Sequence, residues 1–144
     1  MLLEQIVPAL QLSIGPVILI SGAGLVLLSM TNRYARVIDR ARTLAESLRQ
    51  IAGGKNQRIQ SQLKIIERRA RHLRMAIAFV SSSLLLAAVL VIALFLIALL
   101  DIHAVALLIV LFILCMSALS IGLIIFILDV NASMSALKIE LEGE

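Results

Sequence analysis

Residues 31–74 read TNRYARVIDRARTLAESLRQIAGGKNQRIQSQLKIIERRARHLR and hold 12 of the 13 lysine and arginine residues of the chain. Only three acidic residues accompany these 12 cations, so the stretch carries a formal charge of +9. The remainder of the chain is strongly apolar, since 61% of all residues are hydrophobic and the mean hydropathy is +1.07. This composition is typical of a membrane protein rather than a water-soluble domain.

Three long apolar runs lie on either side of this polar stretch, at residues 6–30, 75–100 and 104–128. None of them contains an acidic, basic or histidine side chain, and each exceeds the roughly 20 residues needed to cross a hydrocarbon core about 30 Å thick. A soluble fold would have to cover three such helices with polar residues that the chain does not have. We therefore expect one all-α membrane domain over residues 1–144 with three transmembrane helices.

The distribution of cations predicts how these helices are oriented. No lysine or arginine precedes the first run, whereas 12 follow it directly. Because loops rich in lysine and arginine stay on the cytoplasmic side, we expect the N-terminus outside and residues 31–74 in the cytoplasm. The second run then leads to an outer turn at residues 101–103, and residues 129–144 form a cytoplasmic tail.

Apolar residues within this basic stretch recur at alternating steps of three and four on both sides of Gly53-Gly54, a pattern typical of coiled-coil seams. If the chain folds back at Gly53-Gly54-Lys55-Asn56, the seams form these layers: Tyr34 with Ile77, Val37 with Leu73, Ala41 with Ala70, Leu44 with Ile66, Leu48 with Leu63, and Ile51 with Ile59. We therefore predict a long antiparallel cytoplasmic helical hairpin between the first and second spans. Each arm continues a span, because no proline or glycine separates them.

The first span carries a stripe of small and polar residues at helical spacing: Gln11, Gly15, Gly22 and Ser29. A second such stripe lies on the opposite side of this helix. Small residues let helix backbones approach closely in lipid. One stripe can pack on the other spans of the same chain, and the other on a second copy, which predicts a homo-oligomer. Pro16 removes a backbone donor, so we expect a kink or a broken turn near Gly15-Pro16.

Small residues also occur in the other two spans. We expect the hydroxyls of Ser81-Ser82-Ser83 to bond to their own helix, and Ala118 and Gly122 to allow close packing of the third span.

Several charged residues lie near the ends of the spans. The candidates for contact with anionic lipid headgroups, or for a basic ring at the inner mouth of a pore, are Arg33, Arg36, Arg40, Arg71 and Arg74. Each cation near an anionic surface contributes about 1 kcal/mol of attraction. Two acids are candidates for ion pairing at this interface, namely Asp39 and Asp129. Asp129 opens an amphipathic tail of net charge −3, and we expect it beside Arg33 or Arg74.

No pattern in the sequence is typical of an enzyme. No Cys-His, Ser-His or paired-carboxylate arrangement lies near one depth of the membrane, and Asp101 with His103 are too few ligands for a metal site. We therefore expect no catalytic residues, cofactor or metal, and no nucleic-acid partner. Two functions stay open. One is a homo-oligomeric scaffold whose basic hairpin meets anionic lipid or a protein partner, and the other is a homo-oligomeric, anion-preferring ion channel lined by the first span.

Four stretches of the chain form a recognisable set: Gly15–Val17, Ser21–Gly24, Thr31–Arg42 and Arg68–Arg71. Together they resemble a bacterial family of small three-helix membrane proteins catalogued as a domain of unknown function, family 2721. The resemblance covers nearly the whole chain and implies a location in the bacterial inner membrane. It implies no catalytic or binding residues.

Overall fold

A computed structural model of the protein describes residues 2–51, 56–101 and 103–142. Over these residues the structure is all-α, as predicted, and consists of α1 (Leu2–Gln50), α2 (Gln57–Leu100) and α3 (Val105–Glu142). Each helix contains a segment that is long and apolar enough to cross a membrane. Each is also much longer than one crossing requires. The 44 residues of α2 extend about 66 Å at about 1.5 Å per residue, against about 40–45 Å for a whole bilayer.

Helix α1 runs without interruption through Pro8 and Pro16. Of the two alternatives predicted near Gly15-Pro16, the broken turn is therefore wrong, whereas the kink stays a prediction. A proline removes one backbone hydrogen bond from a helix, but neighbouring helices and local adjustment compensate for this loss in membrane proteins.

The two ends of α2 are capped in different ways. Of the predicted turn, Gly53 to Lys55 lie outside the described residues, whereas Asn56 caps α2 because its Oδ1 accepts a hydrogen bond from the Arg58 amide at 3.2 Å. At the other end of α2, Asp101 has a positive φ of 49° and donates its amide to the Ile97 carbonyl. Aspartate is one of the few residues that adopt this left-handed conformation, which ends helices.

Helix α2 lies in the middle and packs against α1 and α3. The core is centred on Met30 of α1 and on Ala76 and Val80 of α2, all three fully buried. Partly buried side chains of α3, including Leu123 and Phe126, pack against this cluster. Met30 of α1 packs with Ala76 of α2, whereas the earlier Leu19 lines a cavity with the later Leu90, so the two helices run antiparallel.

The predicted seams of residues 34–77 lie on the less exposed faces of α1 and α2. Every seam position is buried or half-buried except Ile51, which is 40% exposed. Ile66 and Leu73 are the buried seam residues nearest the apolar part of α2. The position of this part of the molecule in the cytoplasm stays a prediction.

The contact between α2 and α3 repeats at every seventh residue, a spacing that keeps one seam facing the partner helix. Three successive levels bring together Arg69 with Asp129, Ala76 with Gly122, and Ser83 with Cys115. At the third level the Cys115 thiol donates to the Ser83 carbonyl at 3.2 Å. At the second level, a Cβ on Gly122 would lie 3.1 Å from the Ala76 carbonyl oxygen and 2.8 Å from Val80 Cγ2. Gly122 therefore permits the close approach that we expected from its small size.

The serines of the second span differ in their partners. The Ser82 hydroxyl donates to the Ala78 carbonyl of its own helix at 2.8 Å, as expected. The Ser83 hydroxyl instead lies 3.9 Å from the Cys115 sulfur, across the interface with α3.

Replacing Gly122 tests this interface. We expect Gly122→Ala to lower the free energy of unfolding in detergent by about 1–3 kcal/mol, because the new methyl group meets a β-branched side chain and backbone. Gly24→Ala is the matched control, since no atom lies within 4 Å of a Cβ built there. We expect Gly24→Ala to leave the free energy of unfolding unchanged or to raise it by up to about 1 kcal/mol, because alanine has a higher helix propensity than glycine. Equal melting temperatures for the two variants would contradict the close approach.

Candidate functional site

The most polar contact between helices lies where α3 leaves its apolar run. Asp129 directly follows that run, yet it is only 5% exposed. Its Oδ1 lies 3.8 Å from the Nε of Arg69 on α2. Arg69 also donates to the hydroxyl of Ser133, which in turn donates to the Asp129 carbonyl at 2.8 Å. Arg69, Asp129 and Ser133 together are called the ion-pair cluster below.

Burial makes the ion-pair cluster important for the position of α3. Taking a carboxylate out of water costs several kcal/mol, which only a close opposite charge and hydrogen bonds can offset. The distance of 3.8 Å is too long for a hydrogen bond, so Arg69 and Asp129 attract each other mainly by charge. Neither Arg69 Nε nor Asp129 Oδ2 has a hydrogen-bond partner among the described residues. Separating α3 from α2 would leave both charges without a partner.

A second arginine reaches the same end of α3 from the other side. The guanidinium of Arg33 on α1 lies over the ring of Phe126, 5.8 Å from its centroid. Such a cation–π contact is worth about 0.5–1 kcal/mol when exposed. Phe126 and Asp129 are one helical turn apart, so α1 and α2 each place an arginine on the same turn of α3.

Arg33 and Arg69 also line a groove between α1 and α2 of about 220 Å³. We call it the basic groove, and its lining consists of Arg33, Arg36, Val37, Arg40, Ile66 and Arg69. Four cations and no acidic residue therefore face one small volume. Such an arrangement attracts anions, and arginine binds phosphate oxygens through two parallel hydrogen bonds.

The described part of the chain provides no group of three or more His, Cys, Asp or Glu residues that could hold a metal ion. The basic groove likewise contains no thiol, hydroxyl or carboxylate among its lining residues.

The stripe predicted in the first span is not packed closely against the other helices of the chain. Gln11, Gly15, Gly22 and Ser29 are all exposed. No atom lies within 4 Å of a Cβ built at Gly15 or Gly22. Gly15 lies at the edge of α2 and α3, because it lines a cavity of about 270 Å³ with Ala87 and Cys115. The structure therefore leaves the stripe without a close packing partner in the same chain.

The remaining predicted site residues are spread over the surface. Arg71 and Arg74 are exposed, and Arg71 makes a pair with Glu67 at 3.5 Å one turn away on α2. Asp39 is exposed and forms no ion pair with any residue that the structure describes. We expected Asp129 beside Arg33 or Arg74, and this prediction is wrong, because Asp129 lies beside Arg69.

Arg69 is the functional residue that the sequence reasoning missed. It stands seven residues before Ala76 and fourteen before Ser83, on the face of α2 that meets α3. Cys115, Gly122 and Asp129 repeat with the same spacing on α3. Aligning these two series in antiparallel order would have paired Arg69 with Asp129.

Removing the carboxylate of Asp129 tests the ion-pair cluster. We expect Asp129→Ala to lower the free energy of unfolding by about 2–3 kcal/mol, below the full cost of breaking a buried pair because the Arg69 side chain keeps 34% exposure. Glu67→Ala is the control, since its pair with Arg71 is exposed and should change stability by less than about 1 kcal/mol. The double variant Arg69→Met with Asp129→Leu should recover most of the loss. Equal effects of the two alanine variants in thermal unfolding would contradict this account.

Comparison with known proteins agrees with the resemblance seen in the sequence. No curated protein and no solved structure matches the chain. A family model described as a protein of unknown function matches residues 13–139, a range that includes most of the first apolar segment, the other two apolar segments, the basic groove and the ion-pair cluster. The chain therefore belongs to the DUF2721 family of proteins of unknown function.

Proposed function

We propose that this protein is a non-enzymatic, homo-oligomeric scaffold of the bacterial inner membrane, whose basic arms contact anionic lipid on the cytoplasmic side. The observation that carries the proposal is that the basic residues lie on uninterrupted continuations of apolar helices. The arms that contact lipid are thereby rigidly joined to the helices that are embedded in it.

The positions of the charges support the cytoplasmic location of the arms. Residues 31–74 hold 12 cations, and the residues before the first apolar run hold none. Basic loops are retained on the cytoplasmic side during insertion, which places the N-terminus outside and the tail of α3 inside. On that side the arms meet a leaflet with anionic lipids, where each nearby cation adds about 1 kcal/mol of attraction.

The length of the helices supports a role in presenting a surface. A helix of 44 residues is about 20 Å or more longer than a bilayer is thick. Charges at the level of the headgroups, such as those of the basic groove, are held by contacts to α3 through Phe126 and Asp129. A scaffold needs such a fixed surface rather than a mobile catalytic loop.

The unpartnered face of α1 supports association between copies. Gly15 and Gly22 are exposed, with nothing within 4 Å of a Cβ at either position. In lipid, small residues stabilise helix pairs by letting backbones approach, which only a neighbouring helix can exploit. A second copy of the chain offers the same face and is the simplest neighbour.

The pore interpretation of this stripe has less support. An anion-selective pore would need its arginines to face a central axis shared by several copies. Arg36 follows Ser29 by seven residues and so continues the same side of α1, but it lines the basic groove with Arg40 beside Arg69 of α2, and Arg33 lies over Phe126 of α3. Because these neighbours belong to the same chain, we prefer a contact between copies to a conducting pathway.

Mass measurement of the protein in nanodiscs tests the scaffold proposal. We expect the wild-type chain to be oligomeric, and the double variant Gly22→Leu with Ser29→Leu to be monomeric because the larger side chains at these exposed positions hold a second backbone away. Ser120→Leu is the control, since Ser120 is exposed on α3 and should leave assembly unchanged. A monomeric wild-type chain, or a double variant that assembles normally, would contradict the proposal.

A further inference from the structure

We propose that the basic groove is a binding site for the headgroup of an anionic phospholipid that carries two phosphates, of the cardiolipin type. This inference rests on the cytoplasmic location of the arms in the proposed function and adds to it a specific site and ligand class. Diffuse attraction between a basic surface and a membrane requires no groove. A defined site requires cations that converge and are held in place.

Two of the four arginines are held by contacts outside the groove. Arg33 is fixed by Phe126 at 5.8 Å, and Arg69 is fixed by Asp129 at 3.8 Å. Arg69 keeps 34% exposure of its side chain, so the ion pair does not consume the whole guanidinium. A site that is already arranged loses less conformational entropy when it binds a ligand. Arg36 and Arg40 are exposed and form no ion pair with described residues, so both are free to complete the site.

The charge of the groove favours a ligand with more than one negative charge. Four cations line it and no acid does, while Asp129 offsets only part of the charge of Arg69. Arginines brought this close repel one another, and a polyanion relieves that repulsion while accepting bidentate hydrogen bonds. A headgroup with two phosphates does so more completely than one with a single phosphate.

The depth of the groove favours a lipid over a soluble anion. Arg33 lies three residues beyond Met30, the last residue of the first apolar run, or about 5 Å along the helix. The headgroup layer on each side of a bilayer is about 5–8 Å thick. Arg36 and Arg40 begin farther out, but side chains lean toward the N-terminus of their helix, which for α1 is toward the bilayer. Basic pockets between helices at this level are suited to anionic headgroups.

The arginines of the groove surround an apolar floor, since Val37 is half-buried and Ile66 is buried. Apolar side chains keep water from one side of the guanidinium groups, which strengthens the attraction of these groups for a phosphate.

Thermal stabilisation of the full-length chain by added lipid tests the site. The protein is purified in an uncharged detergent, so that no membrane surface potential is present, and is titrated with cardiolipin, phosphatidylglycerol, phosphatidylcholine and sodium pyrophosphate. We expect cardiolipin to raise Tm at lower concentration than phosphatidylglycerol, and the other two to have little effect. The double variant Arg36→Gln with Arg40→Gln should weaken the apparent cardiolipin affinity by about tenfold or more.

Arg71→Gln with Arg74→Gln is the matched control. It removes the same charge from exposed residues near the same level, but neither residue lines the groove. Its affinity for cardiolipin should stay within about twofold of the wild-type value. Neither double variant touches Arg33 or Arg69, which hold the helices together.

Three results would overturn the inference. Equal losses in the two double variants would mean that total surface charge, rather than the groove, attracts the lipid. Unchanged affinity in both would place the lipid elsewhere. Stabilisation by pyrophosphate as strong as that by cardiolipin would make the ligand a soluble anion. The scaffold proposal fails in a separate measurement, when the mass in nanodiscs shows the wild-type chain to be a monomer.

Discussion

The exclusion of charge from hydrocarbon is the constraint on which this structure depends. An arginine, lysine or aspartate at the centre of a membrane helix costs about 2.5–3.5 kcal/mol even on permissive scales. Residues 31–74 carry 12 cations, so they must leave the bilayer together, and the apolar runs around them must cross it. The chain meets this constraint with three helices that are longer than their apolar segments. Asp129 directly follows an apolar run and is buried, and there it lies beside an arginine of opposite charge.

Within lipid the three helices cannot rely on the hydrophobic effect to associate, so close packing and polar contacts must hold them together. The α2–α3 interface combines both at intervals of seven residues. Gly122 lets the backbones approach, Cys115 donates to the Ser83 carbonyl, and Asp129 meets Arg69 where water becomes available. Because Arg33 contacts the same turn of α3, two arginines of the basic groove also contribute to the helix positions. The basic groove is thus a consequence of how the bundle is held.

The sequence predicted the fold class and the apolar segments because both follow from composition and length, which need no knowledge of partners. The period of the apolar residues at 34–77 correctly predicted which positions are less exposed, while the pairing of these residues in layers across a hairpin stays a prediction. The sequence did not identify Arg69 as the cation beside Asp129, because this pairing depends on how α2 is rotated about its axis relative to α3. The continuity of α1 through Pro16 was missed because neighbouring contacts, rather than local propensity, decide whether a proline breaks a membrane helix. The extension of α3 through residue 142 shows that the tail continues the helix of the third apolar segment.

The central claim is that the basic ends of the helices lie together on the cytoplasmic side. Labelling of single cysteines in intact cells with a membrane-impermeant maleimide tests it most directly, in a Cys115→Ala background that removes the fully buried native thiol. Gln57→Cys and His103→Cys place exposed thiols at opposite ends of the molecule. The account predicts that His103→Cys is labelled from outside and that Gln57→Cys is labelled only after the cells are permeabilised. Labelling of Gln57→Cys in intact cells would contradict it.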